Sequence, residues 1–238
     1  MMPQRTLSPT AAPISFWSLI GAASGLLGGA THRARLVQEL KRKFSAHDVF
    51  LLSSGKAALT VILKALAASS RRRRVIVPAY TCFSVPSAIV RAGLDVVLCD
   101  VEPDTLDFNF AELEDLINEE VLCVVPTHLF GRPADVDRVK RLCEGTGVVV
   151  VEDAAQAMGG QSGGCPLGTL GDVAFFSLGR GKNITCGTGG VILARSLPVA
   201  ETIKAEYATL PEAPLGEVAR NWLEMVIMRL FIHPLLYW

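Results

Sequence analysis

The sequence predicts an α/β fold, a mostly parallel sheet with helices on both faces, and three observations carry that expectation. Short apolar runs alternate with segments of helical period along most of the chain. The runs are continuous and rich in valine, as suits strands covered on both sides rather than on one. Beyond Gly160 the alternation gives way to two strand-like runs joined by a glycine-rich bend, which reads as a hairpin-like excursion and not as another βαβ unit.

Taken in order, "ARLVQELKRKF" has the apolar spacing of an amphipathic helix. "DVFLLSS" reads as a strand, and "KAALTVILKALAAS" as a helix with apolar residues three and four apart. "RVIVP" is a strand, "SVPSAIVRAG" a helix that ends at Gly93, and "DVVLCD" a strand. "FAELEDLIN" is a helix, "VLCVVPT" a strand, and "ADVDRVKRLCEGTG" a helix closed by glycine. "VVVVED" follows as a buried strand that ends, against the cost of burying charge, in two carboxylates. "DVAFFSL" and "GGVILA" are the two strands flanking "GRGKNITCGT", and from Leu197 onward the chain is helical.

With 238 residues, half of them apolar, the chain can bury one large domain's core but not two. Lys plus Arg equals Asp plus Glu, so the charge balance gives no case for nucleic acid. The basic run Arg71–Arg74 lies between a helix and a strand and reads as a solvated loop. Six cysteines are scattered without a CxxC pair, three of them in or beside apolar runs. That usage fits a reduced, cytoplasmic compartment. Thr6 to Thr31 carries no charged residue, and "ISFWSLIGAASGLLGGA" competes for the role of a signal-peptide core. It is short for a spanning helix, rich in small residues and without a clean cleavage site. The favoured reading is an apolar helix packed on the domain or on a second subunit, with membrane association not favoured. Three regions are therefore expected: an apolar N-terminal segment (1–34), a large α/β domain (35–196) and a helical segment (197–238) that begins a further part.

Ligands of open α/β sheets bind outside the carboxyl ends of the strands. Ser53, Ser54, Gly55, Tyr80, Thr81, Asp100, His128, Asp153 and Ser177 fall there. "SSGKAAL" is no P-loop, since Phe50 stands where the first glycine belongs and Ala57 where Ser or Thr belongs; the later glycine runs do not form a dinucleotide fingerprint either. What remains is a glycine turn opening a helix at Gly55, which is an anion site, a strand-end Asp153, and Lys182 in the glycine-rich bend. Taken singly these read as a turn, a helix N-cap and a surface lysine. Together they are what pyridoxal phosphate needs: a phosphate nest, a carboxylate that keeps the pyridine nitrogen protonated, and an amine for a Schiff base.

Four collinear blocks between Ser53 and Ala194 carry a resemblance. They are "SSGKAALTVILKAL", "VIVPAYTCFSVPSAIVRAGLDVVLCDVEPDTLDFN", "PTHLFGRPADVDRVKRLCEGTGVVVVEDAAQAMGG" and "GTLGDVAFFSLGRGKNITCGTGGVILA". In this order they resemble the DegT/DnrJ/EryC1/StrS family of sugar aminotransferases, which have the aspartate-aminotransferase-like fold and use pyridoxal 5'-phosphate. The resemblance implies Lys182 as the Schiff-base lysine and Asp153 as partner of the pyridine nitrogen. It implies Gln156 at the ring face or phenolic oxygen and Ser177 on the phosphate. Ser54, Gly55 and Lys56 would form the phosphate turn through their amides, with Lys56 in place of the family's threonine. The aromatic that stacks on the ring has no direct counterpart: Cys82 stands there, with Phe83 beside it and Tyr80 as a second candidate. His128 divides between a structural hydrogen bond and a ligand contact.

What the resemblance implies for function is a two-half transamination, from an amino-acid donor such as glutamate to the keto group of a nucleotide-linked sugar, in amino-sugar or polysaccharide biosynthesis. The enzyme is expected to be a homodimer, with no metal. Family members that dehydrate instead of aminating carry a histidine at the lysine position, and Lys182 argues against that branch. The resemblance ends near Ala194, and the family's small C-terminal domain has no counterpart. The competing reading is a non-catalytic remnant that binds cofactor or a partner without turnover. A nucleotide-binding α/β protein without pyridoxal phosphate ranks last.

Overall fold

A computed structural model describes residues 14–231; the start of the apolar leader (1–13) and the terminal aromatic stretch (232–238) lie outside the described residues. The chain runs through α1 (Phe16–Phe44), β1 (Asp48–Leu52), α2 (Gly55–Ala68), β2 (Arg74–Pro78), α3 (Ser84–Arg91), β3 (Asp95–Cys99), α4 (Phe110–Leu116) and β4 (Val121–Val124). A 3-10 turn (Leu129–Gly131), α5 (Val136–Cys143) and β5 (Val149–Asp153) follow, then a small hairpin of β6 (Gln161–Ser162) and β7 (Cys165–Pro166). The described part ends with β8 (Val173–Ser177), β9 (Gly190–Ala194), α6 (Leu197–Tyr207) and α7 (Leu215–Phe231).

Seven strands form one sheet in the order β1-β9-β8-β5-β4-β2-β3. The pairs from β8 to β3 are parallel, and β9 is antiparallel to both of its neighbours. This is the expected mostly parallel sheet with a hairpin at one side. Because β9 reverses direction twice over, β1 runs the same way as β8. The carboxyl ends of β1, β8, β5, β4 and β2 therefore gather at one edge.

Two apolar layers cover the sheet. On one face, α2, α3 and α6 bring Leu59, Ile62, Leu63, Ile89 and Ile203 against Val151, Phe175 and Ile192. On the other, α4 and α5 bring Leu113, Val136 and Val139 against Ile76, Val124 and Val150, while α1 lays Leu40 and Phe44 on Ala174, Phe176 and Leu193. The rings of Phe44 and Phe176 lie 5.2 Å apart. Strand side chains alternate between faces, so Val151 and Asp153 look toward α2 while Val150 and Glu152 look the other way.

Three features differ from the reading of the sequence. The apolar segment and the amphipathic helix are merged in α1, whose one departure from helical geometry is at Gly28 (φ −135°, ψ 32°). The β6–β7 hairpin was not expected; it turns on Gly163 and Gly164, at φ 55° and 82°, where glycine meets no steric cost. The run Arg71–Arg74 is only partly a solvated loop. Arg72 donates to the carbonyls of Val121 (3.0 Å) and Thr146 (2.7 Å), and Arg74 pairs with Glu120 at 2.7 Å. Chain ends near a sheet edge leave carbonyls without ladder partners, and a guanidinium satisfies two at once.

Cys99, Cys123 and Cys143 are buried and Cys82, Cys165 and Cys186 exposed, all as free thiols. Helix α6 docks on β1 through the Tyr207 hydroxyl, which donates to the Leu51 carbonyl at 3.1 Å. Helix α7 lies on α1, where the Trp222 indole donates to the Leu19 carbonyl at 3.0 Å, and buries none of its residues fully. Among the described residues no helix is long and apolar enough to cross a membrane.

Candidate functional site

The glycine turn after β1 forms the first part of the site. Ser54 caps α2 by accepting from the Ala57 amide at 3.1 Å, and Ala58 closes the first turn onto the Ser54 carbonyl at 3.0 Å. The amides of Gly55 and Lys56, at the start of a helix, have no intrahelical acceptor and sit at its positive end. Ser177, at the end of β8, faces this turn. A Cβ on Gly55 would come within 2.8 Å of the Ser177 Cβ, so only glycine permits the approach. Gly190 is constrained likewise by the Ser54 carbonyl, and Thr188 ties its hydroxyl to the Ser53 carbonyl at 2.6 Å. Ser54, Gly55 and Ser177 thus form one cradle, with the Lys56 side chain exposed beside it.

The lysine loop leaves this cradle. Leu178 and Gly189 close its neck by a 2.8 Å backbone bond, and the Lys182 amide bonds the Gly179 carbonyl at 3.1 Å. Lys182 is half-buried, and its charge pulls the Asp153 carboxyl downward, so the loop lies within electrostatic range of the end of β5. Helix α7 reaches the same loop: Arg180 pairs with Glu224 at 2.5 Å, and a Cβ on Gly187 would meet Met225. No pattern in the sequence marks this contact.

Asp153 is 5% exposed at the end of β5. It caps no helix; one carboxylate oxygen accepts from the Ala155 amide at 3.0 Å, within a run of turns. Burial pushes its carboxyl up to about 6, against the opposing pull of the Ala155 amide, Lys182 and His128. Its neighbour Glu152 is fully buried on the other face and has the opposite fate. It accepts from the His128 Nε2 (2.7 Å), from the amides of Leu170 (2.8 Å) and Gly171 (2.9 Å), and from the amide of Gly168. Burial works to raise the Glu152 carboxyl, but the His128 hydrogen bond and the glycine amides outweigh it and hold it below the ordinary value.

His128, the residue left open between two roles, is fully buried with both ring nitrogens bonded inside the protein: Nε2 to Glu152 and Nδ1 to the Ala134 amide at 3.0 Å. The structure gives it the structural hydrogen bonds. Gln156 accepts the Phe130 amide on Oε1 at 3.1 Å. Phe83 is 83% exposed and Tyr80 55%, and among the described residues neither ring pairs with another aromatic. Reasoning from sequence missed the Glu152 nest. Its signal was the "GTLGD" run, whose two glycines let the amides close on the carboxylate.

Comparisons with known proteins bear on the family and the fold. The sequence profile of the DegT/DnrJ/EryC1/StrS aminotransferase family matches residues 23–209. The chain is 31% identical to the L-glutamine:2-deoxy-scyllo-inosose aminotransferase of Streptomyces fradiae, over 87% of this chain and 49% of that protein. It is 28% identical to the GDP-perosamine synthase of Vibrio cholerae, over 71% of this chain and 47% of that protein. Among solved structures, a Streptococcus pneumoniae protein in its PLP form superposes with a TM-score of 0.73 and 26% identity, covering 86% of this chain and 58% of its own. The chain spans about half the length of the curated relatives it matches.

Proposed function

The chain belongs to the DegT/DnrJ/EryC1/StrS aminotransferase family, and on that premise we propose that it binds pyridoxal phosphate and moves an amino group from an amino-acid donor, glutamate, to the keto group of a nucleotide-linked sugar. The observation that carries this reading is Asp153. A carboxylate pushed up to about 6 by burial at the carboxyl end of its strand is stabilised when a cationic ring nitrogen meets it. The residues present fit the cofactor in three further respects. Gly55 lets the α2 turn and Ser177 approach more closely than any Cβ would allow, helix α2 offers free amides to a phosphate, and Lys182 sits within electrostatic reach of Asp153.

When bound, pyridoxal phosphate supplies an electron sink covalently joined to an amine. In this reading the Gly55 and Lys56 amides and the Ser54 and Ser177 hydroxyls hold its phosphate, and the Lys56 ammonium adds charge there. Asp153 keeps the ring nitrogen protonated. Gln156, its oxygen engaged by Phe130, offers its NH₂ group to the ring's phenolic oxygen. Phe83 is the proposed stacking residue. Lys182 Nζ would be the amine that holds the cofactor, and as a free amine it would be the base for the proton on the donor's α carbon. The exposed apolar residues of α1 and α7, Trp17, Leu223 and Ile227 among them, are the surface we assign to a homodimer in the cytoplasm. The large domain is proposed to span 35–196, between the apolar segment 1–34 and the helical segment 197–238.

Borohydride reduction of the chain incubated with pyridoxal phosphate is the test. Peptide mapping is expected to find a pyridoxyl label on Lys182 alone; a label on Lys56 instead overturns the assignment. A panel of nucleotide keto-sugars with glutamate then separates turnover from cofactor binding alone, the outcome expected of a non-catalytic remnant.

A further inference from the structure

We propose that His128 and Glu152 are a positioning pair that sets Asp153 and Gln156 toward the cofactor; the proposal rests on the reading of the site given above. The ring of His128 has a fixed tautomer. Its Nδ1 accepts from the Ala134 amide at 3.0 Å, so the proton sits on Nε2, which donates to Glu152 Oε1 at 2.7 Å. Neither bond touches Gln156 or Asp153 directly; one fixes the loop whose Phe130 amide meets Gln156, and the other ties down the residue before Asp153.

The Nδ1 bond closes the loop from His128 to Ala134. Within it Phe130 is held at φ 56°, a left-handed conformation that a non-glycine residue adopts only when its surroundings impose it. In that conformation its amide meets Gln156 Oε1 at 3.1 Å, which fixes which end of the Gln156 amide remains free. On the main chain, His128 donates to the Asp153 carbonyl at 3.0 Å and the Asp153 amide donates to the Pro126 carbonyl at 2.8 Å. The Nε2 bond adds a side-chain tie one residue earlier, at Glu152. Three amides of the turn Gly168–Gly171 hold Glu152 from below. The backbone of Asp153 is therefore held by the segment that follows β4 and, through Glu152, by the turn that precedes β8, although its carboxylate has one bond of its own, to Ala155. Neither His128 nor Glu152 is exposed, so both act through Asp153 and Gln156.

A pair that merely satisfied buried polar atoms would affect stability without depending on Asp153. The test is a double-mutant cycle read by titrating the full chain with pyridoxal phosphate and following its visible absorbance. Asp153→Asn is expected to weaken binding about tenfold or more, and Glu152→Gln or His128→Asn to weaken it about tenfold with Asp153 intact. In the Asp153→Asn background the same two substitutions are expected to cost less than about threefold, because the group they position has lost its charge. Equal losses in both backgrounds overturn the proposal and leave the cofactor reading standing. An Asp153→Asn chain that binds as tightly as the parent overturns both. Should the substituted chains not fold, ¹⁵N spectroscopy of the unsubstituted protein decides: a proton on Nε2 of His128 supports the pair, and a proton on Nδ1 overturns it.

Discussion

Glu152 and Asp153 are adjacent on one strand, both buried, and the two faces of the sheet treat them oppositely. Below the sheet Glu152 has a histidine and three amides, enough donors to keep it ionised against burial. Above it Asp153 has one amide, and burial prevails, pushing it up to about 6. The same side-chain chemistry under similar burial thus yields one carboxylate held by four hydrogen bonds and one held by a single amide. The lesson is that burial alone does not mark a functional carboxylate; the count of donors around it does.

The largest expected effect tests the satisfied face. Glu152→Gln replaces an acceptor of four hydrogen bonds with a group that must turn an NH₂ toward some of those donors. We expect a loss of about 3–5 kcal/mol, as when one member of a buried charge network is removed, measured by urea denaturation at pH 7. A loss below about 1 kcal/mol would place Glu152 among weakly held surface carboxylates and erase the contrast.

On the other face the sign reverses. With a carboxyl at about 6 in the folded chain and an ordinary value of 3.8, Asp153 binds its proton more tightly folded than unfolded. Its stabilising share is fully present below about pH 4, is lost as pH rises through about 6, and is absent at pH 7. Asp153→Asn is therefore expected to raise the stability of the cofactor-free chain at pH 7 by up to about 3 kcal/mol and to change little at pH 4. A variant that is less stable at pH 7 would show that the carboxylate is already paired. A smaller effect, about 1–3 kcal/mol, is expected of Gly171→Ala, whose Cβ would lie 2.9 Å from the Val150 carbonyl and 3.2 Å from the Glu152 Cβ. A melting temperature unchanged by that substitution would mean that the turn can retreat from Glu152 without cost.

Much of this contrast was legible in the sequence, and the part that was not has a physical reason. Continuous valine runs such as "VVVV" specify buried parallel strands, and the glycine-rich bend between "AFFSL" and "GGVILA" specifies the antiparallel excursion, so the sheet followed from local pattern. Period two also tells that Glu152 and Asp153 face apart. It does not tell which face carries donors. The amides of Gly168, Leu170 and Gly171 and the ring of His128 reach Glu152 only through the tertiary fold, and a backbone amide leaves no letter in a sequence. The contact of α7 with the lysine loop through Glu224 and Met225 was hidden for the same reason.

The smallest expected effect concerns Thr127, which pairs with Asp153 across the parallel boundary of β4 and β5. Paired residues of a parallel ladder share a face, so Thr127 stands on the Asp153 side of the sheet. Its Oγ1 is buried and, among the described residues, has no hydrogen-bond partner. A buried hydroxyl without a partner loses hydration and gains nothing in return. Thr127→Val keeps the shape and removes the orphan, so the cofactor-free chain is expected to be unchanged or more stable by about 1 kcal/mol in urea denaturation. If Thr127→Val instead destabilises the chain by 1 kcal/mol or so, the hydroxyl is satisfied, and the Asp153 face is less short of partners than its neighbouring carboxylate indicates.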